Sequence, residues 1–249
     1  MSDMYYLKLT IKPTSAMTFR KMPSSILHIS TYPFIPPTAM SGYIKRLLMM
    51  ANGMDYPDTR IKDPEYIVMP KDIHILGAYP NFDRCYKHIT YRQGPGREHY
   101  FKHTVFSQIS KSQDENYQLH TWEYLFADKL TGYIVCESKD KLSELKKIKN
   151  FGCKIGKEGY GFIEDISEIN LLEKRKIKAV PSTLLPADAE IVIEVRSEIK
   201  IFSLYRYQWK GDKVVGFIPF KGALTNGELL LDYWTDGTIN IPVQILNYF

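Results

Sequence analysis

Alternation of apolar and polar positions marks the first element of the chain. Every second side chain from residue 5 to residue 11 is apolar, namely Tyr5, Leu7, Leu9 and Ile11. A period of two is typical of a strand that is buried on one face only. The pattern therefore predicts a half-buried strand over residues 4–12, which ends at Pro13 and carries Lys8 and Lys12 on its polar face.

The second pattern has the period of a helix. Apolar residues recur three or four positions apart at Met40, Tyr43, Ile44, Leu47, Leu48 and Ala51. This is the spacing of one buried helix face. Pro36-Pro37 ends the extended segment before it, and Asn52-Gly53 is a C-terminal stop signal. We therefore predict a helix within residues 35–53, with Thr38 as its N-cap.

Shorter signals predict the next elements. Strand-like runs cover residues 72–78, 131–137 and 162–169, and helical patterns cover residues 122–130 and 140–150. Apart from the short helix at 122–130, the order is strand, helix, strand, long insertion, strand, helix, strand. This is the βαββαβ order of a ferredoxin-like, RRM-type domain. We therefore expect an α+β fold with an antiparallel four-stranded sheet and two helices on one face.

The character of the sequence changes after Pro186. The remainder consists of strand-like runs separated by turn signals such as Asn226-Gly227. We predict a ferredoxin-like domain over residues 1–180 and a small β-rich C-terminal domain over residues 186–249. Residues 79–122 are predicted to form an insertion in the first domain.

A glycine-rich loop follows the second predicted helix. Its glycines lie within ten residues and are Gly152, Gly156, Gly159 and Gly161. Lys154, Lys157 and Tyr160 lie among them. Glycine permits positive φ and close backbone approach, and such a loop can turn its N–H groups toward a phosphate. A dinucleotide-binding loop follows a strand and opens a helix, whereas this loop follows a helix and precedes a strand. A connection without any ligand is the alternative interpretation.

Positive charge is concentrated in the insertion. From Arg84 to His103 the only acid is Glu98, whereas the bases are Arg84, Lys87, Arg92, Arg97 and Lys102. Gly94-Pro95-Gly96 marks a turn in the middle, so we predict a projecting hairpin. The whole chain has a net charge of +5 and 18 tyrosines, many of them beside Lys or Arg. Such interleaving suits RNA, because bases stack on rings and phosphates meet cations.

Other kinds of site find no support in the sequence. The three cysteines, Cys85, Cys136 and Cys153, form no Cys-x-x-Cys pair, so we expect free thiols in a reducing compartment and no metal site. No apolar run is long enough to cross a membrane, and no signal peptide is recognisable. Neither a P-loop nor a nucleophile elbow is present. We expect a cytoplasmic protein without a cofactor or a membrane partner.

One cluster has the potential for acid–base chemistry. Its members lie in the insertion and are Tyr86, Lys87, His88, His99 and His103. A metal-independent ribonuclease needs only a base, an acid and a cation, because the RNA 2′-hydroxyl attacks its own phosphate. The cluster therefore permits two interpretations, RNA cleavage or RNA binding without cleavage. A third hypothesis is a protein-interaction scaffold that binds no nucleic acid.

The segment that opens the first helix resembles a known family. Residues 35–44 read Ile-Pro-Pro-Thr-Ala-Met-Ser-Gly-Tyr-Ile, which looks like the Pro-Pro-Thr…Gly signature of the Cas-five family. That family belongs to the RAMP superfamily of CRISPR-associated proteins, in which a glycine-rich loop also precedes the last strand of a ferredoxin-like domain. The basic insertion at residues 79–122 would match the thumb of the family.

The resemblance implies a subunit of a type I Cascade complex. Such a subunit binds the 5′ handle of the CRISPR RNA, caps a filament of Cas-seven subunits and adjoins the large subunit, and whether it touches target DNA stays open. Most members do not cut RNA, but one branch is the processing endoribonuclease. From the resemblance and the charge pattern together, the predicted RNA-binding residues are Lys12, Arg20, Lys21, Thr38, Ser41, Gly42, Lys45, Arg46, Arg84, Lys87, Arg92, Arg97, Lys102, Lys154, Gly156, Lys157, Gly159, Tyr160 and Gly161.

Overall fold

The computed structural model describes residues 3–21, 28–54, 66–93, 119–187 and 199–249. In chain order the elements are β1 (Met4–Pro13), β2 (His28–Ile29), α1 (Pro37–Ala51), β3 (His74–Pro80), β4 (Cys85–Gln93), β5 (Leu119–Ala127), β6 (Leu130–Cys136), α2 (Lys139–Glu144), β7 (Gly152–Lys154), β8 (Tyr160–Ile166), β9 (Asn170–Ala179), β10 (Leu185–Pro186), β11 (Ile199–Lys210), β12 (Lys213–Thr225), β13 (Leu229–Thr235) and β14 (Asn240–Pro242). Short 3₁₀ turns cover Phe82–Arg84, Leu145–Ile148 and Val243–Asn247.

The main sheet is built around β1. β1 pairs antiparallel with β6 on one side and with β8 on the other, and β6 also pairs antiparallel with β3. The order β8–β1–β6–β3 is the one expected for a βαββαβ domain, and the predicted α+β class is confirmed. Leu7, Leu9 and Ile11 are fully buried whereas Lys8 is exposed, as the alternation predicts.

The two helices of the predicted βαββαβ order are both found, with corrections at their ends. α1 buries Met40, Ile44 and Leu47. The prediction of Thr38 as N-cap is wrong, because Pro36 caps the helix without a side-chain hydrogen bond and Pro37 starts it. The second predicted helix begins at Lys139 as α2 and continues as the 3₁₀ turn Leu145–Ile148.

The insertion forms an antiparallel hairpin over its described residues. β4 and β5 pair without a register shift from Cys85–Ala127 to Gln93–Leu119. The predicted helix over residues 122–130 is therefore wrong, because most of it belongs to β5. Residues 122–127 form a strand because their side chains alternate between the two faces of the hairpin. Pairing with β4 supplies the hydrogen-bond partners of the backbone and the cross-strand side-chain contacts. The predicted turn at Gly94-Pro95-Gly96 lies outside the described residues.

The C-terminal strands join two different sheets. β11 and β12 form a long hairpin whose base pairs with β10. β13 pairs with β9 and β14, and β9 pairs with β1, so strands from both sides of residues 180–186 belong to the main sheet. That sheet has eight strands in the described residues, and the prediction of four is therefore wrong. The two-domain division at that point stays a prediction. Within the described ranges, no helix has the length and apolarity needed to span a membrane.

Candidate nucleic-acid interface

Three segments that are distant in sequence meet at the base of the hairpin. Met17 and Leu125 exchange backbone hydrogen bonds of 3.0 and 2.8 Å, which join the segment after β1 to β5. Thr18 N–H donates to the Glu158 carbonyl at 2.8 Å, and Lys157 N–H donates to the Thr18 carbonyl at 3.0 Å. The segment at residues 13–20 is therefore held between the hairpin and the glycine-rich loop.

The glycines of the loop serve this close approach. Gly156 has φ +68° and Gly159 has φ +130°. Residues other than glycine rarely adopt these backbone conformations. A Cβ atom at Gly156 would lie 2.7 Å from the Thr18 carbonyl oxygen, and one at Gly159 would lie 2.8 Å from Met17 Cγ. Backbone packing against residues 17–19 therefore accounts for both glycines.

Hydrogen bonds within the chain occupy several N–H groups of the loop. Ile155 N–H donates to the Gly159 carbonyl at 3.0 Å, and Tyr160 N–H donates to Ser15 Oγ at 2.9 Å. Together with the bond from Lys157, three N–H groups are directed at protein acceptors instead of a phosphate. What the loop presents at the surface is the side chains of Lys154, Lys157 and Tyr160, which are exposed.

One side of the hairpin is lined with rings. We call it the aromatic face, and it consists of Tyr86, His88, Trp122, Tyr124 and Phe126, which alternate with residues of the opposite side. The rings of Tyr86 and Phe126 are stacked, with centroids 4.9 Å apart and planes 3° apart. His88 approaches Phe126 edge-on at 6.1 Å, and Trp122 lies 6.4 Å from Tyr124. The ring of Tyr86 is 62% exposed and is therefore available to a further ring.

The glycine-rich loop contacts this face through two side chains. Lys157 Nζ lies 4.5 Å from the centroid of the Trp122 ring, which is a cation–π distance. The Tyr124 hydroxyl donates to Glu158 Oε2 at 2.9 Å. The contacts place an ammonium group beside the stacked rings, so that cation and aromatic surface are adjacent.

The opposite side of the hairpin carries a buried carboxylate. Glu123 is only 8% exposed, and it accepts hydrogen bonds from Thr31 N–H at 3.0 Å and from Lys87 Nζ at 3.3 Å. His28 Nε2 lies 3.4 Å from its other oxygen. Burial raises the pKa of Glu123, but the Thr31 hydrogen bond and the charges of Lys87 and Lys21 outweigh that effect and lower it. Burial and the charge of Lys87 lower the pKa of Lys21.

The acid–base candidates are divided by this geometry. Tyr86 and His88 lie on the aromatic face, whereas Lys87 lies on the opposite side and pairs with Glu123. His99 and His103 lie outside the described residues. The structure therefore does not bring together the three described members of the predicted cluster. In the described part of the chain, no group of three or more His, Cys, Asp or Glu side chains is placed to hold a metal ion.

The predicted residues of the first helix turn lie under other segments. Ser41 is 4% exposed and its hydroxyl accepts a hydrogen bond from Met69 N–H at 3.0 Å. Tyr207 of β11 donates to the Thr38 carbonyl at 2.7 Å. Gly42 lies in the same turn and is half-buried. These residues are therefore covered by residues 66–70 and by β11.

The remaining predicted residues are dispersed. Lys12 pairs with Glu164 at 3.7 Å on the sheet. Lys45 and Arg46 are half-buried on α1, and Arg20 is exposed beside β2. Gly161 is buried, and its carbonyl accepts a hydrogen bond from Tyr43 at 2.9 Å.

Arg84 is exposed at the start of β4, the backbone of Arg92 belongs to that strand, and Arg97 and Lys102 lie outside the described residues. Among the predicted residues that the structure describes, Arg84, Lys87, the backbone of Arg92 and the glycine-rich loop therefore lie at the hairpin, and Lys21 lies close to Lys87.

Sequence reasoning missed the three rings of β5. Trp122, Tyr124 and Phe126 were assigned to a short helix, although they occupy every second position. That alternation is typical of a strand and would have placed all three on one face. Glu123 was missed because its partners come from three other segments of the chain.

Comparison with known proteins gives only distant likenesses. No family model matches this chain, and no curated protein matches it. A crystal structure of a CRISPR protein from Archaeoglobus fulgidus is 14% identical, with TM-score 0.44, and the match covers 96% of this chain and 97% of that one. A chain of the type III-B Cmr-beta complex, bound to cognate target RNA and AMPPnP, is 12% identical, with TM-score 0.43, and the match covers 90% and 86%. These values are too low to establish a family.

Proposed function

We propose that this chain is an RNA-binding subunit of a CRISPR ribonucleoprotein, and that it binds single-stranded RNA across the aromatic face of the hairpin. The observation that carries this proposal is the pair of stacks, Tyr86 on Phe126 and Trp122 beside Tyr124, with Lys157 over the Trp122 ring. Base stacking on aromatic side chains contributes about 1–3 kcal/mol per base, and adjacent cations hold the backbone.

The charge around the face supports a single strand as the ligand. Arg84 is exposed beside Tyr86, Lys157 lies at Trp122, and the basic residues of the hairpin continue toward its tip in the sequence. The exposed ring of Tyr86 can accept a base only when that base is unstacked. A paired helix, whose bases are already stacked on one another, offers no such surface.

The finer assignment rests on the resemblance of residues 35–44 to the Cas-five signature. On that basis the RNA is the 5′ handle of the guide, the complex is a type I Cascade, and the chain caps a Cas-seven filament next to the large subunit. The hairpin of β4 and β5 would then be the thumb, since β4 and the start of β5 belong to the insertion at residues 79–122. Binding without cleavage is favoured, because Lys87 is engaged by Glu123 on the side opposite Tyr86 and His88.

Replacing Tyr86 with alanine is expected to weaken RNA binding about tenfold, because one exposed stacking ring is removed. The measurement is a gel shift of 5′-labelled RNA that carries the repeat of the host array, in EDTA and at two salt concentrations. Tyr66→Ala is the matched control, since Tyr66 is also exposed but packs against Phe217 near the helix α1. It should bind as the unchanged protein does, and both should bind less tightly at higher salt.

Two outcomes of the same gel would contradict the proposal in different ways. A specific shorter product in EDTA would make the chain an endoribonuclease and the histidines its first targets for substitution. No shift at all, even with the partner subunits added, would leave the scaffold hypothesis. An equal loss of binding in the variants at Tyr86 and Tyr66 would show that the aromatic face is not the RNA site.

A further inference from the structure

A cavity opens next to the aromatic face. Its volume is about 390 Å³, and it lies between the segment after β1 and the base of the hairpin. The side chains that matter here are Thr14, Ser15, Arg84, Tyr86, Phe126 and Asp128. Small-ligand sites usually measure roughly 300–1,000 Å³, so this one is at the lower end and suits a single nucleotide.

The walls of the cavity differ in chemistry. Tyr86 and Phe126 give it an aromatic side, where a base can continue the existing stack. Arg84 gives it a cation that can meet a phosphate in two hydrogen bonds. Both features are those of a nucleotide site, and they come from the strand pair that carries the proposed RNA surface and from the 3₁₀ turn directly before it.

The polar groups of the cavity can distinguish between bases. The carboxylate of Asp128 offers acceptors only, and it would repel a phosphate. The Ser15 oxygen already accepts a hydrogen bond from Tyr160 N–H at 2.9 Å, so its own hydrogen is left to donate. A base that gives the Asp128 carboxylate two hydrogen bonds must present two adjacent donors, and a carbonyl oxygen beside them can accept from Ser15. Guanine presents this set on its Watson–Crick edge with N1–H, the N2 amino group and O6, whereas adenine, cytosine and uracil each present only one donor group there.

We propose that this cavity binds one unpaired guanine of the RNA, with its ring against Tyr86, its N1 and N2 donors on Asp128 and its O6 near Ser15. This inference rests on the proposed RNA-binding function, and it adds a base preference at one position of the bound strand.

The test uses the full chain and short RNAs of defined sequence. Ten-residue oligouridines that carry one guanosine, adenosine or cytidine at a central position are titrated by fluorescence anisotropy. The guanosine-containing strand should bind about tenfold more tightly than the all-uridine strand, since one good two-bond base contact gives discrimination of that order. Adenosine and cytidine strands should bind like the all-uridine strand to within about twofold.

Asp128→Asn should remove most of this guanosine preference and leave binding of the all-uridine strand equal or slightly tighter. Asp212→Asn is the matched control, because Asp212 is an exposed carboxylate on the turn between β11 and β12. It should keep the tenfold preference. Equal binding of all four strands by the unchanged protein, or a preference that survives in Asp128→Asn, would overturn the guanine site while RNA binding stands. Failure to bind any strand would overturn the proposed function and this inference with it.

Discussion

Gly156→Ala is expected to lower the free energy of unfolding by about 2–5 kcal/mol. A left-handed backbone conformation costs a non-glycine residue about 1–2 kcal/mol. Overpacking of a tight contact costs about 1–3 kcal/mol more. Both apply at Gly156, which has φ +68° and where a Cβ would lie 2.7 Å from the Thr18 carbonyl oxygen and 2.8 Å from the Phe19 ring. The measurement is urea unfolding followed by circular dichroism.

Gly53→Ala is the control that separates the cost of backbone strain from the cost of overpacking at Gly156. Gly53 has φ +64°, almost the same backbone, but no atom lies within 4 Å of its added Cβ. Its substitution should cost about 1–2 kcal/mol, the strain alone. Equal losses in the two variants would contradict the view that the loop is built to pack on residues 17–19. Gly156→Ala should also weaken RNA binding, because the shifted loop carries Lys157 away from Trp122.

Glu123→Gln is expected to lower the free energy of unfolding by about 2–4 kcal/mol at neutral pH. Removal of one partner of a buried ion pair leaves the other charge uncompensated. Here the neutral amide leaves Lys87 facing Lys21 without the carboxylate that attracts both, while Thr31 N–H keeps an acceptor. Because Lys87 remains partly exposed, water recovers a share of the loss. Thermal or urea unfolding of the pair of proteins measures the difference.

At acidic pH, most of the difference in the free energy of unfolding between the unchanged protein and Glu123→Gln should disappear. The pKa of Glu123 is lower in the folded chain than its ordinary value of 4.5. The carboxylate therefore contributes its full stability above pH 4.5, and the contribution is lost as the pH falls through the lower folded pKa. Glu164→Gln is the control, because Glu164 pairs with Lys12 and Lys129 at the surface. A variant at Glu123 that is no less stable than the one at Glu164 would contradict a structural role for the buried cluster.

The local pattern of apolar and polar residues was sufficient to predict those elements that bury one face. β1 and α1 follow from residues that are adjacent in sequence, since alternation or a helical stripe selects the buried side chains. The order of strands around β1 followed from the order of elements. The glycine-rich loop was also recognisable, because four glycines in ten residues are conspicuous.

The rest depends on contacts between distant residues. Why Gly156 must be glycine is decided by Thr18 and Phe19, which lie far from it in the sequence. The partners of Glu123 come from the segments of Lys21, Thr31 and Lys87. The residues next to Glu123 in the sequence therefore do not predict this buried cluster. The short helix predicted over residues 122–130 is the exception, because the local alternation of Trp122, Tyr124 and Phe126 already favours a strand.

Photo-cross-linking of RNA that contains 4-thiouridine is the most direct test of the RNA surface. The full chain is bound to repeat RNA, irradiated and digested, and the modified peptides are identified by mass spectrometry. We expect cross-links within β4, β5 and the glycine-rich loop, with Tyr86 among the modified residues and a loss of these adducts in Tyr86→Ala. Cross-links confined to α1 or to the hairpin of β11 and β12 would contradict the account, because RNA would then lie on a different side of the molecule.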